Sequence, residues 1–374
     1  MDLREILEKI KKAPKPFETE EWPSFILGPV FELPCLNEIK KIGKKLPVFF
    51  REAQEKYEKI GKEVFQKTLP SEISVKFQNF IKKIGNSVKH DFPLFVHVDG
   101  IFDGKKLWLI EIGTDPEGIS LILNMNQIYG ITQNQEFFEV LPSKVAVALP
   151  SSQNFYTPDF REITKRANEE SKEWIFVNDF SEKELKEISE KEKGIFYRAT
   201  TSLGAIDSFI IEVSRIFLDW VHSPKIYLGS KIFLLFSEIL KEMVPLSFLT
   251  PVRDEEIIKM KKSQRKEWIV KPTANQRSGE QVFRGDQLTN KKWQEILSRE
   301  GFIVQRYIQP QEIEVKGINF RGEDVDFKGK SKVSGFFVLD QDKEKYHLFG
   351  VNLTLRNSVR IHGATDALIA PCYF

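Results

Sequence analysis

Cysteine is almost missing from this chain: among 374 residues only Cys35 and Cys372 occur, at opposite ends. Two thiols so placed make neither a disulfide framework nor a cysteine-based metal or redox motif, and they fit a reducing compartment. An excess charge of one sign is missing too. Lys+Arg 56 against Asp+Glu 54 leave +2, so no overall field favours nucleic acid or a membrane surface. The local basic clusters, Lys40 to Lys45 and Lys259 to Lys266, read as solvated helix faces and linkers. No stretch approaches the ~20 apolar residues of a membrane-spanning helix. The N-terminal MDLREILEKIKKAPKPF is charged and amphipathic, without the apolar centre of a signal peptide. A cytoplasmic protein with no nucleic-acid and no membrane partner is the expectation; oligomeric state stays open. What is left is ordinary for a globular chain, 41% hydrophobic and 29% charged, long enough for two or three structural units.

The most informative stretch is HVDGIFDGKKLWLIEIGTD, residues 97–115. Asp103-Gly104 is a strong hairpin turn signal between two alternating runs. Val96, Val98, Phe102, Trp108, Ile110 and Ile112 alternate as one apolar face, and His97, Asp99 and Glu111 share the other. A two-residue turn would pair Asp99 with Trp108 and throw Glu111 to the wrong face. A three-residue loop pairs Asp99 with Leu109 and leaves Glu111 one diagonal step away, roughly 7 Å between backbones. Two acids so close repel unless a positive charge lies between them, and hard oxygen ligands suit magnesium, which takes the rest of its shell from water and phosphates. A solvated sheet face of acids beside lysines explains the same residues, and they leave both readings open.

Elsewhere the chain alternates. A short helix and a proline-punctuated segment fill residues 1–35. Helical spacing runs from about Asn37 to Lys89 with a break near Pro70, and again from Ile119 to Phe138. From Val145 the rhythm changes: strands at 145–149, 174–177 and 195–200 alternate with helices at 160–173 and 181–190, which implies βαβ units and a small parallel sheet. Amphipathic helices are expected at Gly204 to Val221 and Lys231 to Met243. A β-rich module follows the charged run 253–267, with EWIVKP, GFIVQRYI, KVSGFFVLD and YHLFGVNLTL as its strands.

Two of these strands carry chemistry. WIVKPTANQRSG delivers Lys271 at a strand end, followed by a small polar loop with Arg277 and Gly279. Such a lysine with free backbone N–H groups is a reasonable phosphate clamp, though the glycines and trailing Lys-Ser/Thr of a Walker loop are missing. FIVQRYIQP puts Gln305 and Tyr307 on one side of a strand, where they suit an adenine edge. Each alone is as well explained by an ordinary strand.

Together, acidic hairpin, strand-end lysine with its loop, and Gln-x-Tyr strand resemble the parts of the ATP-grasp superfamily, which holds ATP between two α+β subdomains. The hairpin is similar to that family's metal signature, Asp then Glu-x-Asn. Here those places hold Asp99, Glu111 and Gly113, with Asp115, Pro116 and Gly118 following. The acids precede the lysines, an order that resembles the circularly permuted branch of glutathionylspermidine and trypanothione synthetases. YLGSKIFLLFSEILKEM is similar to that branch's Asn-Lys helix and makes Lys231 a second phosphate lysine.

The resemblance implies an α+β, ATP-grasp-like fold with two subdomains around a nucleotide cleft and a small βαβ parallel-sheet domain inserted through circular permutation. The implied division is 1–140, 141–224 and 225–374. It implies ATP and Mg2+ as cofactors, with small-molecule or peptide carboxylate and amine substrates joined through an acyl phosphate. Asp99 and Glu111 would carry magnesium with help from Asp115. Lys231, Lys271 and Gly279 would hold phosphates, and Gln305 with Tyr307 would line the adenine site. His97, Arg277 and Arg356 are the implied catalytic positions: Arg277 covers the phosphates, and Arg356, with Arg360 beyond it, would bind an anionic substrate unless nearby acids claim both. Two departures stand out. Gly113 replaces an asparagine, and His97 stands where these synthetases carry an arginine near the transferred phosphate, a weaker and pH-dependent charge. A nucleotide- or peptide-binding module without turnover is the alternative.

Overall fold

A computed structural model describes residues 2–15, 25–61, 92–114, 118–131, 134–149, 155–178, 194–197, 225–273, 282–358 and 366–374. Asp115, Arg277, Gly279, Arg360 and the helices expected at 181–190 and 204–221 lie outside them, as does the break near Pro70.

The acidic hairpin becomes one edge of the largest sheet. Its strands, β2 (Phe95–Phe102) and β3 (Leu107–Gly113), continue a mostly antiparallel sheet built from the C-terminal third of the chain: β11 (Glu312–Ile318), β12 (Asp324–Asp340), β13 (Lys345–Arg356) and β14 (Leu368–Pro371). With β1 (Ile26–Leu27) the order is β11-β1-β14-β13-β12-β2-β3. β2 pairs with β12, so Asp99 lies directly opposite Ser334 although 235 residues separate them.

Alternation decides what covers each face. After α1 (Leu3–Lys12), helix α2 (Leu36–Lys56) packs its Ile39, Ile42, Leu46 and Phe50 stripe onto one side, where Gly43 lets Phe337 approach. On the other side lies α3 (Ile119–Ile128), whose Ile122 sits against Gly350. The helix expected through Phe138 divides, with α4 (Asn134–Val140) following as a separate segment. Asp159 ties α3 to α5 (Thr157–Glu169): its carboxylate accepts from the amides of Ile119 and Ser120, at 3.1 and 2.7 Å, and from the Ser120 hydroxyl.

α5 belongs to the small alternating unit. β4 (Lys144–Leu149), β5 (Glu173–Asn178) and β6 (Gly194–Tyr197) form a parallel sheet in the order β5-β4-β6, as the βαβ rhythm implies.

A third sheet, ordered β7-β10-β8-β9, carries the lysine strand. It consists of β7 (Ser247–Leu249), β8 (Trp268–Pro272), β9 (Phe283–Arg284) and β10 (Phe302–Arg306). Trp268, Val270, Phe302 and Val304 face a separate core with Trp293, Ile296 and Leu297.

The helix expected over Lys231 to Met243 is corrected to α6 (Ile232–Phe236) followed by turns. Its later carbonyls are spent elsewhere: Ile239 accepts from Lys45 Nζ at 3.0 Å, Glu242 from Lys106 Nζ, and Met243 from the Leu109 amide at 2.8 Å. Ser237 bonds Glu52 at 2.8 Å. The segment thus caps the outer edge of β3 instead of continuing as a helix, which answers the unpaired donors any edge strand presents. Among the described residues no helix is long and apolar enough to cross a membrane.

Candidate nucleotide site

The hairpin register differs from the expected one, and the difference builds the site. Four residues, 103–106, separate Phe102 from its partner Leu107. Asp103 organises the turn by accepting from the amides of Lys105 and Lys106 at 2.9 and 2.8 Å, with Gly104 at φ +93°. Trp108 leans out to bond Asp103 through Nε1 at 2.8 Å, with Lys106 over its ring. Leu107 and Leu109, not Trp108 and Ile110, therefore point into the core. Gly100 pairs with Leu109 and Asp99 pairs with Glu111, so Ile110 is an extra residue on β3. Such a bulge shifts the strand by one. A regular strand would hold Leu109 and Glu111 on one face. With the bulge, Leu109 is buried and Glu111 stands directly across from Asp99, closer than the diagonal placement expected.

The second half of the chain brings cations to this acidic pair. Lys231, just ahead of α6, reaches Glu111 Oε1 at 2.9 Å, with side-chain exposures of 11% and 23%. Its loop is anchored just past the end of α2 by Tyr227, stacked on Tyr57 with ring centroids 3.8 Å apart. The buried Lys271 donates to the carbonyl of Ile110, the bulge residue, at 2.9 Å. The extra residue of a bulge is left unpaired by its neighbours, so the same irregularity that aligns the acids offers Lys271 an acceptor.

A third lysine escaped the sequence reading. Lys332 on β12 reaches Asp99 Oδ2 at 2.7 Å, and Ser334 donates to Asp99 Oδ1 at 2.6 Å. The only signal was a Lys-x-Ser alternation in KSKVSGFFVLD, whose relation to Asp99 exists only once β12 pairs with β2.

Electrostatics follow from these contacts. Burial opposes ionisation of Asp99, but the Lys332 and His97 charges, with hydrogen bonds from Lys332 and Ser334, outweigh it and hold the carboxyl below its usual range. Glu111 is likewise lowered: burial and Asp99 push up, while Lys231, His97 and the Lys231 hydrogen bond prevail. Lys271 goes the other way. Burial, then the charge of Lys231, lowers it to about 7, with Glu111 opposing.

His97 and Gly113 prove to be one feature. They are cross-strand partners, and a Cβ on Gly113 would lie 1.9 Å from His97 Cε1. The imidazole fills the place where a side chain at 113 would stand.

Gln305 shares the face of β8 and β10 that carries Lys271, since Gln305 pairs with Ile269 and Ile303 with Lys271. Its Nε2 bonds Ser247 at 2.9 Å, while its buried Oε1 and the buried Tyr307 hydroxyl have no hydrogen-bond partner among the described residues. Arg356 lies on the Asp99 face of the large sheet, two residues beyond Thr354, which faces Lys332. Asp366 holds it in a two-pronged pair at 2.9 and 3.0 Å. The chain thus unites His97, Asp99, Glu111, Lys231 and Lys271, sets Gln305 on the sheet face that carries Lys271, leaves Tyr307 at the other end of β8 with its amide on the Glu267 carbonyl, and gives Arg356 an acid of its own.

The donor set fits magnesium that arrives with phosphate rather than a resident ion. Two opposed carboxylates, completed by phosphate oxygens and water, are what magnesium takes. Gly113 offers no third ligand, and among the described residues no group of three or more His, Cys, Asp or Glu side chains converges to hold a metal.

The model of the tubulin-tyrosine ligase family matches residues 222–310, the segment that carries Lys231, Lys271 and Gln305. No curated protein sequence matches the chain. A glutathione synthetase-like effector from Globodera pallida is similar in structure, with TM-score 0.60 and 10% identity over 100% of this chain and 98% of that one. A putative gamma-glutamylcysteine synthetase from Methylobacillus flagellatus aligns at TM-score 0.40 and 10% identity, over 83% of this chain and 86% of its own. The fold is α+β, similar to that of the glutathione synthetase-like effector.

Proposed function

We propose that this chain is an ATP-dependent carboxylate–amine ligase. The observation that carries the proposal is the convergence of one acidic pair and two lysines from distant segments on a single bulged hairpin: Lys231 on Glu111 and Lys271 on the Ile110 carbonyl, both at 2.9 Å. The tubulin-tyrosine ligase match, over the lysine-bearing segment, supports a ligase. The acids-first order supports reading the chain as similar to the permuted, glutathionylspermidine synthetase-like branch, and the division 1–140, 141–224 and 225–374 belongs to the same proposal.

In the reaction a substrate carboxylate oxygen attacks the γ-phosphorus and ADP leaves. The amine then attacks the acyl carbon of the resulting acyl phosphate, phosphate departs with the C–O oxygen, and the amine's proton is lost to solvent. Charge spread over the γ-phosphoryl oxygens must be neutralised and the reactants held in line. Lys231 and Lys271 supply two cations for those oxygens, already directed into one space. Lys271 is costly to keep charged while buried, and an arriving phosphate offsets that cost. Gln305 Oε1 and the Tyr307 hydroxyl, buried and without a partner among the described residues, accept and donate hydrogen bonds at the adenine edge. Asp99 and Glu111 would hold magnesium, which when bound supplies Lewis-acid charge to the phosphate oxygens. Arg356, beside the site on the same sheet face, is the candidate for a substrate carboxylate, which would have to displace Asp366.

The test is ADP release from ATP in the presence of magnesium, hydroxylamine and a pool of amino acids, small peptides and polyamines. Hydroxamate formed in step with ADP supports an acyl phosphate. ATP binding without ADP release over the whole pool would refute the ligase.

A further inference from the structure

Asp99 is the one acid of the pair whose two oxygens are both engaged by its own sheet. Lys332 takes Oδ2 at 2.7 Å and Ser334 takes Oδ1 at 2.6 Å. The Lys332–Asp99 pair is enclosed, with side-chain exposures of 15% and 11%. Glu111, directly opposite, is held by Lys231. Lys332 and Lys231 therefore stand on either side of the carboxylates where a nucleotide-borne cation would sit. A buried carboxylate holds one compact cation at a given oxygen, because a second would meet like charge at contact distance in a poorly screened site.

Resting on the nucleotide reading above, we infer that Lys332 is a third phosphate-binding lysine of the cleft, and that it and a divalent cation are alternative occupants of Asp99. Metal on its own has to displace an ammonium that is paired with Asp99 and largely enclosed. Metal carried by a triphosphate brings oxygens that receive Lys332 as Asp99 releases it. The exchange conserves charge pairing at every position. It makes metal entry conditional on nucleotide and gives the fold a reason to place a lysine on β12 at a site whose other two lysines come from 231 and 271.

Lys332→Met tests this, with Lys332→Arg as the variant that keeps the charge. The first readout is binding of Mn2+ alone, followed by loss of the free-ion electron paramagnetic resonance signal. Wild type and Lys332→Arg should leave millimolar Mn2+ free, while Lys332→Met, whose Asp99 retains only the serine hydroxyl, should bind it at least tenfold more tightly. The second readout is ATP affinity by calorimetry in EDTA, which should fall at least tenfold in Lys332→Met and stay within threefold in Lys332→Arg. Equal Mn2+ binding by wild type and Lys332→Met, or unchanged metal-free ATP affinity, overturns the role of Lys332 while leaving the nucleotide site standing. Failure of wild type to bind ATP with or without magnesium overturns the nucleotide reading itself.

Discussion

Lys271→Met should make the protein more stable and unable to use nucleotide at once. Lys271 is 5% exposed and, among the described residues, its ammonium has one hydrogen bond, to the Ile110 carbonyl at 2.9 Å. Its fall from 10.5 to about 7 corresponds to roughly 5 kcal/mol between charged and neutral forms, an upper bound. Methionine has similar length and no charge, but it strands the carbonyl, which costs about 1–3 kcal/mol. Below pH 7 the lysine is protonated folded and unfolded, and the fold bears the whole burial cost. Between pH 7 and 10.5 the folded chain binds fewer protons than the unfolded one, so wild-type stability rises with pH through that window. Lys271→Met should therefore exceed wild type by about 2 kcal/mol or more at pH 6, and the gap should narrow by about 1.4 kcal/mol for each pH unit above 7. Urea unfolding of both proteins at pH 6 and pH 9 measures the gap. Repeating it with ATP and magnesium should stabilise only wild type, because bound ligand raises apparent stability. A variant less stable than wild type at pH 6, or a gap independent of pH, would refute the reasoning that Lys271 is a buried cation kept for its ligand.

Two further outcomes follow from single contacts. Gly113→Ala should cost about 1–3 kcal/mol, since its methyl meets the His97 ring; in a His97→Ala background most of that loss should vanish, giving a coupling energy above about 1 kcal/mol. Additive losses by urea unfolding would separate the two residues. Asp159 is buried, and desolvation lifts it to about 6 against the pull of the Ser120, Ile119 and Gly118 hydrogen bonds. A raised carboxyl favours the folded state at low pH and loses that contribution as pH climbs from about 4 through 6, by up to about 3 kcal/mol. The stability difference between wild type and Asp159→Asn should drift by that amount across the window, and a flat difference would show that the capped carboxylate is ionised throughout.

The parts of the site readable from sequence are those fixed by short-range pattern, and the parts that were not are fixed by pairing between distant strands. Asp99 and Glu111 were legible because a hairpin brings its own ends together. The βαβ unit was legible because its strands and helices follow one another. The bulge at Ile110 was hidden, since LWLIEI alternates whether or not one residue is skipped; only the demand that Leu109 be buried while Glu111 faces Asp99 selects it. Lys332 was hidden for the same kind of reason, its partner lying 233 residues away. The helix beyond Phe236 failed because apolar spacing does not reveal that Leu109 and two lysines claim the carbonyls. His97 and Gly113 carry the point furthest. Read along the chain they are two separate departures from the motif it resembles, a histidine where that motif has an arginine and a glycine where it has an asparagine. Read across the ladder they are one exchange, in which a ring occupies the volume a longer side chain at 113 would need. Asn placed at 113 alone therefore meets an imidazole that already fills the space its side chain would need.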